Sequence, residues 1–350
     1  MTELILSQYG LQNNLSSIKE YGSGLINSTW RVSAAGNKYI LQKINNTVFK
    51  QPYDIADNIS LIANFLKQNY PQYPFAAPVT AIDGKEMIYI EGSGYFRLFP
   101  FVEGSCSFDI ANTPNLAFEA ALQFGRFTKL LSQINSNDLK ITIPRFHDLG
   151  FRYQQFTEAL ASAGNERKSK AKDSIETLKN NYAITDEYRK IQSNPAFKKR
   201  VTHHDTKISN VLFDCNKKGI CVIDLDTVMP GYFISDVGDM MRTYLSPVSE
   251  EEADFSKISI RRDYYKAIVE GYANEMKDEL SQVEKQYFFY AGKFSIYMQA
   301  LRFLTDYLND DAYFGSAYPG QNLIRASNQI VLLEKFIEAR PELIDIGINS

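Results

Sequence analysis

Apolar positions change their rhythm about a third of the way along the chain. In the first hundred residues they favour short strands. Trp30-Arg31-Val32 and the run Lys38 to Ile44 flank Ala35-Gly36-Asn37, and a Gly-Asn pair between strand-like runs predicts a hairpin. Pro52 opens a helix in which Ile55, Ile59, Ile62, Phe65 and Leu66 recur at helical spacing. Pro71, Pro74 and Pro78 punctuate the segment after it, and two short strands are expected on either side of Asp83-Gly84, the second over 86–91. Phe96 to Val102 is apolar and contains Pro100, so a strand should run into an extended connector.

Beyond Gly104 the spacing becomes helical. Residues 117–134 form one long amphipathic pattern, and 151–192 read as further helices with a polar break at Ala163-Gly164-Asn165. The basic run 167–170 and the acidic run 249–254 read as a solvated helix face and a solvated helix start. Residues 201–223 are the strand-like island of this half, and aromatic-rich helices follow over roughly 260–276, 281–307 and 321–338. The expected fold class is therefore α+β, with a small, mostly β N-lobe (1–100), a short connector, and a larger, mostly α C-lobe (101–350).

Composition narrows the function. The chain of 350 residues carries 38 basic and 41 acidic side chains, a near balance that argues against a nucleic-acid partner. Hydrophobic residues at 44% allow a large core, and no apolar run reaches the ~18 residues of a membrane span. The start, MTELILSQYG, lacks the basic and long apolar parts of a secretion signal. Three cysteines and three histidines without a paired Cys motif leave little for a disulfide scaffold or a zinc site. These features point to a cytoplasmic enzyme or binding protein, a monomer or weak dimer.

The densest chemistry lies in Val201 to Asp214 and Ile220 to Asp226. Val211-Leu212-Phe213 and Ile220-Cys221-Val222-Ile223 predict a hairpin whose outer ends bring Asn210 and Asp224 side by side. Asp205 stands on the loop that enters it. One amide oxygen and one or two carboxylates at a shared opening suit Mg²⁺, which completes its shell with phosphates and water. A carboxylate beside such a metal can take the proton of an attacking hydroxyl, which is the task assigned to Asp205. Lys207 can offset charge on a transferring phosphoryl group.

With the spacing His203-x-Asp205-x-Lys207-x-x-Asn210 followed by Ile223-Asp224, the chain resembles the catalytic loop and metal-binding Asp of the protein-kinase-like fold, in its aminoglycoside and choline phosphotransferase branch. The segments 202–214, 221–230, 235–239 and 300–308 are similar to bacterial N-acetylhexosamine 1-kinases, over about 22–313. The resemblance implies a bilobal ATP-dependent kinase. Asp205 would be its base, Lys207 its phosphate-contacting lysine, and Asn210 and Asp224 its Mg²⁺ ligands. Asp236 would brace the catalytic loop. Asp226 stands where protein kinases carry the Gly of Asp-Phe-Gly, a second acid near the substrate.

On the nucleotide side, Gly22-Ser23-Gly24 leads through Asn27 and Thr29 into strands rather than a helix, the order of a Gly-rich flap over ATP phosphates. Lys43 resembles the strand lysine that pairs with those phosphates. The 53–69 helix has no Glu to orient it, and Asp57 is the assigned carboxylate. The connector 98–102 would be the hinge, with Phe99 and Phe101 against adenine. On the acceptor side the resemblance implies that Arg302 and Tyr313 contact a sugar. Where those kinases often read Gly-His-Ile-Asn, this chain reads Gly24-Leu25-Ile26-Asn27, which removes one donor to the sugar. The expected acceptor is the anomeric hydroxyl of an N-acetylhexosamine or related hexose. Choline, homoserine or an aminoglycoside are alternatives, as is a nucleotide-binding pseudokinase.

Overall fold

The computed structural model describes residues 2–11, 15–22 and 26–346. Helix α1 (Thr2–Ser7) precedes strands β1 (Leu15–Glu20), β2 (Ser28–Ala34) and β3 (Asn37–Ile44). Helix α2 (Pro52–Asn69), β4 (Ile88–Ile90) and β5 (Gly94–Pro100) follow. The strands form one antiparallel sheet in the order β1-β2-β3-β5-β4. The predicted β2–β3 hairpin is present, with Ala35 and Gly36 as its two-residue loop at φ 52° and 78°. Positive φ at both positions gives the turn that matches strand twist, and glycine adopts it without steric cost.

The second expected pair of strands is reduced to β4. Before Asp83 isolated bonds, from the Val79 amide to the Leu98 carbonyl, from Ala81 to Lys85 and from Ile82 to Gln8, stand in place of a ladder. The Pro71, Pro74 and Pro78 segment has too few free N–H groups to build one.

Each face of this sheet has its own partner. Val32, Ala34, Leu41, Phe96 and Leu98 point to one side, where Ile5 and Leu6 of α1 complete a small buried cluster. On the other side Ile44 joins Ile55, Ile59 and Ile62 of α2 in the main core. The periodicity expected for α2 is thus the stripe it buries.

The larger lobe begins with α3 (Pro114–Leu130), capped by Thr113, whose hydroxyl accepts from the Leu116 amide. Then come α4 (Leu149–Ser162), α5 (Asn165–Lys170), α6 (Lys172–Asn180) and α7 (Ala183–Ser193). Short strands β6 (Arg200–Thr202), β7 (Val211–Phe213), β8 (Gly219–Val222) and β9 (Met229–Gly231) pair as β6–β9 and β7–β8. Helices α8 (Phe233–Tyr244), α9 (Arg262–Met276), α10 (Phe288–Leu308), α11 (Gln321–Glu338) and α12 (Arg340–Leu343) close the chain. The architecture is α+β, a small β-rich part and a larger helical part, as the sequence pattern implied. Among the described residues no helix is long and apolar enough to cross a membrane.

The acidic run departs from expectation. Glu250 does not sit on a solvated helix start. It lies in a turn and pairs with both Arg242 and Arg325, while Glu251 also reaches Arg325. The basic run is likewise not wholly solvated, because Arg167 pairs with Asp310 and Asp311.

Candidate active site

The β7–β8 hairpin does bring the two ends of the motif together. The Ile223 amide donates to the Asn210 carbonyl at 2.9 Å, so the ladder ends with Asp224 beside Asn210. Asp224 then turns the chain at φ 60°, a left-handed conformation uncommon for a side chain of this kind and typical of functional turns. Asn210 Nδ2 donates to the Asp205 carbonyl at 2.9 Å. Its Oδ1 has no protein partner among the described residues. Lys207 Nζ lies 3.1 Å from Asp205 Oδ2. Asp205, Lys207, Asn210 and Asp224 therefore share one opening.

The loop that carries Asp205 is held from beneath. Asp236 accepts from two successive amides, His203 at 3.1 Å and His204 at 2.8 Å. Asp239 accepts from the Thr206 amide at 2.9 Å, and the Tyr244 hydroxyl donates to the Thr206 carbonyl at 2.6 Å. The left-handed turn at His204, φ 66°, is stabilised by these bonds. Asp236 thus braces the loop, as the resemblance implied.

Charge around the opening is unbalanced. Burial, reinforced by the Asp226 and Asp205 charges, pushes the Asp224 carboxyl up to about 7 against the pull of Lys207 and Arg97. For Lys207, burial disfavours the ammonium, but the Asp205 and Asp224 carboxylates outweigh it and raise its pKa. A crowded carboxylate with no hydrogen-bond donor, beside a free amide oxygen, fits a hard divalent cation. Among the described residues no group of three or more His, Cys, Asp or Glu could hold a metal alone. Such an ion would rely on Asn210, Asp224 and phosphate oxygens.

Histidines do not compete with Asp205 as a base. His147 Nδ1 and His204 Nδ1 share the Ser235 hydroxyl at 2.5 and 3.0 Å. Burial, then the charge of His203, lowers His204 to about 3, and burial likewise lowers His147. Both imidazoles are neutral and used structurally.

The nucleotide face differs from the sequence expectation. Register sets Lys43 opposite Phe96, on the face of Leu41 and Leu98 that packs toward α1. A Cβ placed on Gly94 would sit 3.5 Å from Lys43 Cε on that same side. Gln42 occupies the cleft face instead, opposite Arg97. A strand alternates faces residue by residue, so an offset of one reverses the assignment. Asp57 is exposed and forms no ion pair with Lys43 among the described residues. The expected Lys43–Asp57 pair is therefore not formed.

In its place Arg97 lies in the cleft. Its Nε and Nη2 donate to Gln42 Oε1 at 3.0 and 2.8 Å. Its Nη2 is 2.5 Å from Asp226 Oδ1, and both side chains are almost wholly buried. Asp226 is thus engaged by Arg97 and by Asn27, whose Nδ2 donates at 2.6 Å, and does not face a substrate. Asn27 is correspondingly committed, because its Oδ1 also accepts the Asn45 amide at 2.9 Å. Sequence reasoning passed over Arg97 as part of an apolar run; a lone charge in Phe96-Arg97-Leu98-Phe99 is the signal that marks it.

Thr29 stands on the cleft face, its hydroxyl 3.4 Å from Gln42 Nε2. Phe99 shares that face, its ring 5.0 Å below the Arg97 guanidinium. Phe101 meets Tyr21 edge to face at 6.1 Å, and its amide donates to the Lys38 carbonyl. Gly22 has φ 82°. Gly24 and Leu25 lie outside the described residues. On the acceptor side Arg302 sits between the rings of Phe146 and Phe314, at 5.3 Å from each, and Tyr313 stands near enough to act on its charge. Arg302 and Tyr313 are therefore brought together.

Asp205, Lys207, Asn210 and Asp224 at one opening of a sheet-and-helix fold suit phosphoryl transfer. The sequence profile of the phosphotransferase enzyme family matches residues 17–265, and the chain belongs to that family. Among solved structures, a microcompartment-associated aminopropanol kinase is 16% identical over 99% of this chain and 98% of its own, with a TM-score of 0.64. An amicoumacin kinase in complex with AMP-PNP, Ca²⁺ and Ami is 14% identical over 96% of both chains, TM-score 0.62. A choline kinase from Cryptosporidium parvum is 14% identical over 98% of both, TM-score 0.60. At these identities the likeness concerns the fold.

Proposed function

We propose that this phosphotransferase moves the γ-phosphoryl of ATP to the hydroxyl of a neutral sugar, the anomeric hydroxyl of an N-acetylhexosamine or related hexose. The convergence of Asp205, Lys207, Asn210 and Asp224 carries the kinase part of that reading. The Asp205 carboxylate takes the hydroxyl proton as the acceptor oxygen bonds to the γ-phosphorus and the bond to the β–γ bridging oxygen breaks, releasing ADP. Lys207 stands where it can offset charge on the moving phosphoryl group. Asn210 and Asp224 would hold Mg²⁺, which when bound neutralises the phosphate oxygens. In this reading residues 1–100 bind the nucleotide and 101–350 carry the catalytic and acceptor groups.

A neutral acceptor is favoured by Arg302 and Arg152. Among the described residues neither forms an ion pair. Arg302 donates to Gln299, and Arg152 to the Phe146 carbonyl and Gln155. Burial, then the neighbouring Arg302 charge, lowers Arg152 to about 10, and burial likewise lowers Arg302. With the acceptor placed against Arg302 and Arg152, a cationic one such as choline or an aminoglycoside would meet two guanidinium groups that form no ion pair among the described residues, whereas sugar hydroxyls accept from them. A panel of acceptors with labelled ATP tests this. Conversion of hexosamines and hexoses to acid-labile 1-phosphates is expected, with choline and aminoglycosides unmodified. Turnover of choline but of no sugar overturns the sugar assignment.

Two further outcomes are expected. Arg302→Ala should raise the acceptor KM by roughly 10-fold or more while leaving the ATP KM within about twofold, because only one side of the cleft loses a donor. In the metal-free protein, Asp224 carries a proton below about pH 7. A protonated carboxyl cannot ligate, so Mg²⁺-dependent ADP affinity should fall as pH drops below that value, by at most about tenfold per pH unit. Isothermal titration across pH 6–8 should show a steeper slope in the unaltered protein than in Asp224→Asn, where only the terminal phosphate of ADP still titrates, with a pKa of about 6.

A further inference from the structure

One buried network joins the small-lobe sheet to the turn that follows Asp224. Arg97 on β5 pairs with Asp226 at 2.5 Å. Gln42 on β3 fixes the guanidinium with a two-pronged acceptor. Asn27, at the base of the Gly-rich loop, donates to the second Asp226 oxygen and is itself tied to the Asn45 amide. Two segments of the small lobe thus reach one carboxylate of the large lobe directly, and β3 joins them through Arg97.

Stability alone does not account for this pair. Removing two charges from water is costly, and a buried ion pair is often no better for folding than apolar side chains of the same volume. One Arg97 nitrogen, Nη1, is also buried with no partner among the described residues. What the pair does fix is geometry. Asp226 lies two residues after Asp224, in the turn that leaves the hairpin, so anchoring Asp226 to β5 sets where that turn sits against the sheet covering the nucleotide. On this face of β3 Gln42 occupies the position opposite Arg97, Lys43 points to the other face, and Lys38 is paired with Glu103.

We infer that Arg97 is a positioning residue for phosphoryl transfer: through Asp226 it holds the metal-binding turn against the small lobe. The inference rests on the reading of the cleft as a metal–nucleotide site. Arg97 acts on the turn and does not itself contact phosphate, since its guanidinium is covered and committed to Gln42 and Asp226.

The test is calorimetric titration of the full chain with adenosine, with ADP in EDTA, and with ADP in Mg²⁺. The double variant Arg97→Met with Asp226→Asn removes both charges together and leaves neither buried alone. It should lose roughly tenfold or more of the Mg²⁺-dependent increase in ADP affinity. Adenosine and metal-free ADP should bind within about threefold of the unaltered protein. Arg97→Lys, which keeps the cation, should recover most of the Mg²⁺ increment. A full Mg²⁺ increment in the double variant overturns the assignment. An equal loss for metal-free ADP also overturns it, because Arg97 would then be a direct phosphate contact. An equal loss for adenosine overturns it as well, since the effect would be on the lobe as a whole. Failure of the unaltered protein to bind ADP at all overturns the nucleotide-site reading itself, a result distinct from these three.

Discussion

Asp205→Asn lowers kcat by about 10²–10⁴-fold while ADP affinity in Mg²⁺ changes less than about threefold. The asymmetry follows from the geometry. Asn is close to Asp in size and keeps the backbone carbonyl that receives Asn210 Nδ2, so the loop and the metal ligands stay in place. What disappears is the acceptor for the hydroxyl proton, together with the charge that holds Lys207 at 3.1 Å. Loss of the pair with Lys207 frees a half-exposed ammonium that burial only partly desolvates, so its contribution to stability is small. Melting temperature should therefore stay within a few degrees. Rapid-quench turnover beside calorimetric ADP binding separates the two effects. Turnover within about tenfold of the unaltered protein removes Asp205 from the role of base.

The same local logic explains why this part of the site could be read from sequence. Asp205, Lys207 and Asn210 lie within six residues, and a tight hairpin returns the chain to Asp224. Local hydrogen bonding is enough to bring them together. The nucleotide side depends on more distant relations. Whether position 42 or 43 faces the cleft is a matter of strand phase, fixed by which residues pack under α1. Apolar residues at both 41 and 44 leave that phase ambiguous in the sequence. Arg97 and Asp226 meet across 129 positions of chain and Asn27 and Asp226 across 199, with no local pattern to announce either contact.

Helices show the same division. The stripes of α2, α9, α10 and α11 were legible as periodicity. Helix α8 lies in the part of the chain read only as generally helical; its polar side, Ser235, Asp236 and Asp239, is turned inward onto the catalytic loop and not to solvent. Its acids are internal because each caps a backbone amide of the catalytic loop. Glu250 was misread for a related reason: its arginine partners stand 8 residues before it and 75 after it. In both cases a charged residue looked like surface until its long-range partner was known.

Asp236→Ala is expected to damage both the fold and the chemistry. The carboxylate is fully buried and accepts from two consecutive amides. Alanine leaves both without a partner, at about 1–3 kcal/mol each, so a loss of about 2–6 kcal/mol is expected in urea denaturation. Asparagine offers one carbonyl oxygen, satisfies one amide and turns an N–H₂ group toward the other, so Asp236→Asn should also fail to hold His204 at its positive φ. Turnover should drop by about 10²-fold or more in either variant, because Asp205 follows His204 directly. A pH signature separates this brace from ordinary packing. Burial pushes Asp236 up to about 6, although His203 and the two amides pull it down. A carboxyl raised on folding binds its proton more tightly in the native state, so its contribution to stability is fullest below the unfolded value and declines as pH climbs toward 6. The destabilisation caused by Asp236→Ala should consequently be larger at pH 5 than at pH 8. Equal losses at the two pH values would mean that the carboxyl is not titrating in the folded protein, and a stability change under about 1 kcal/mol would mean that the two amides find other acceptors.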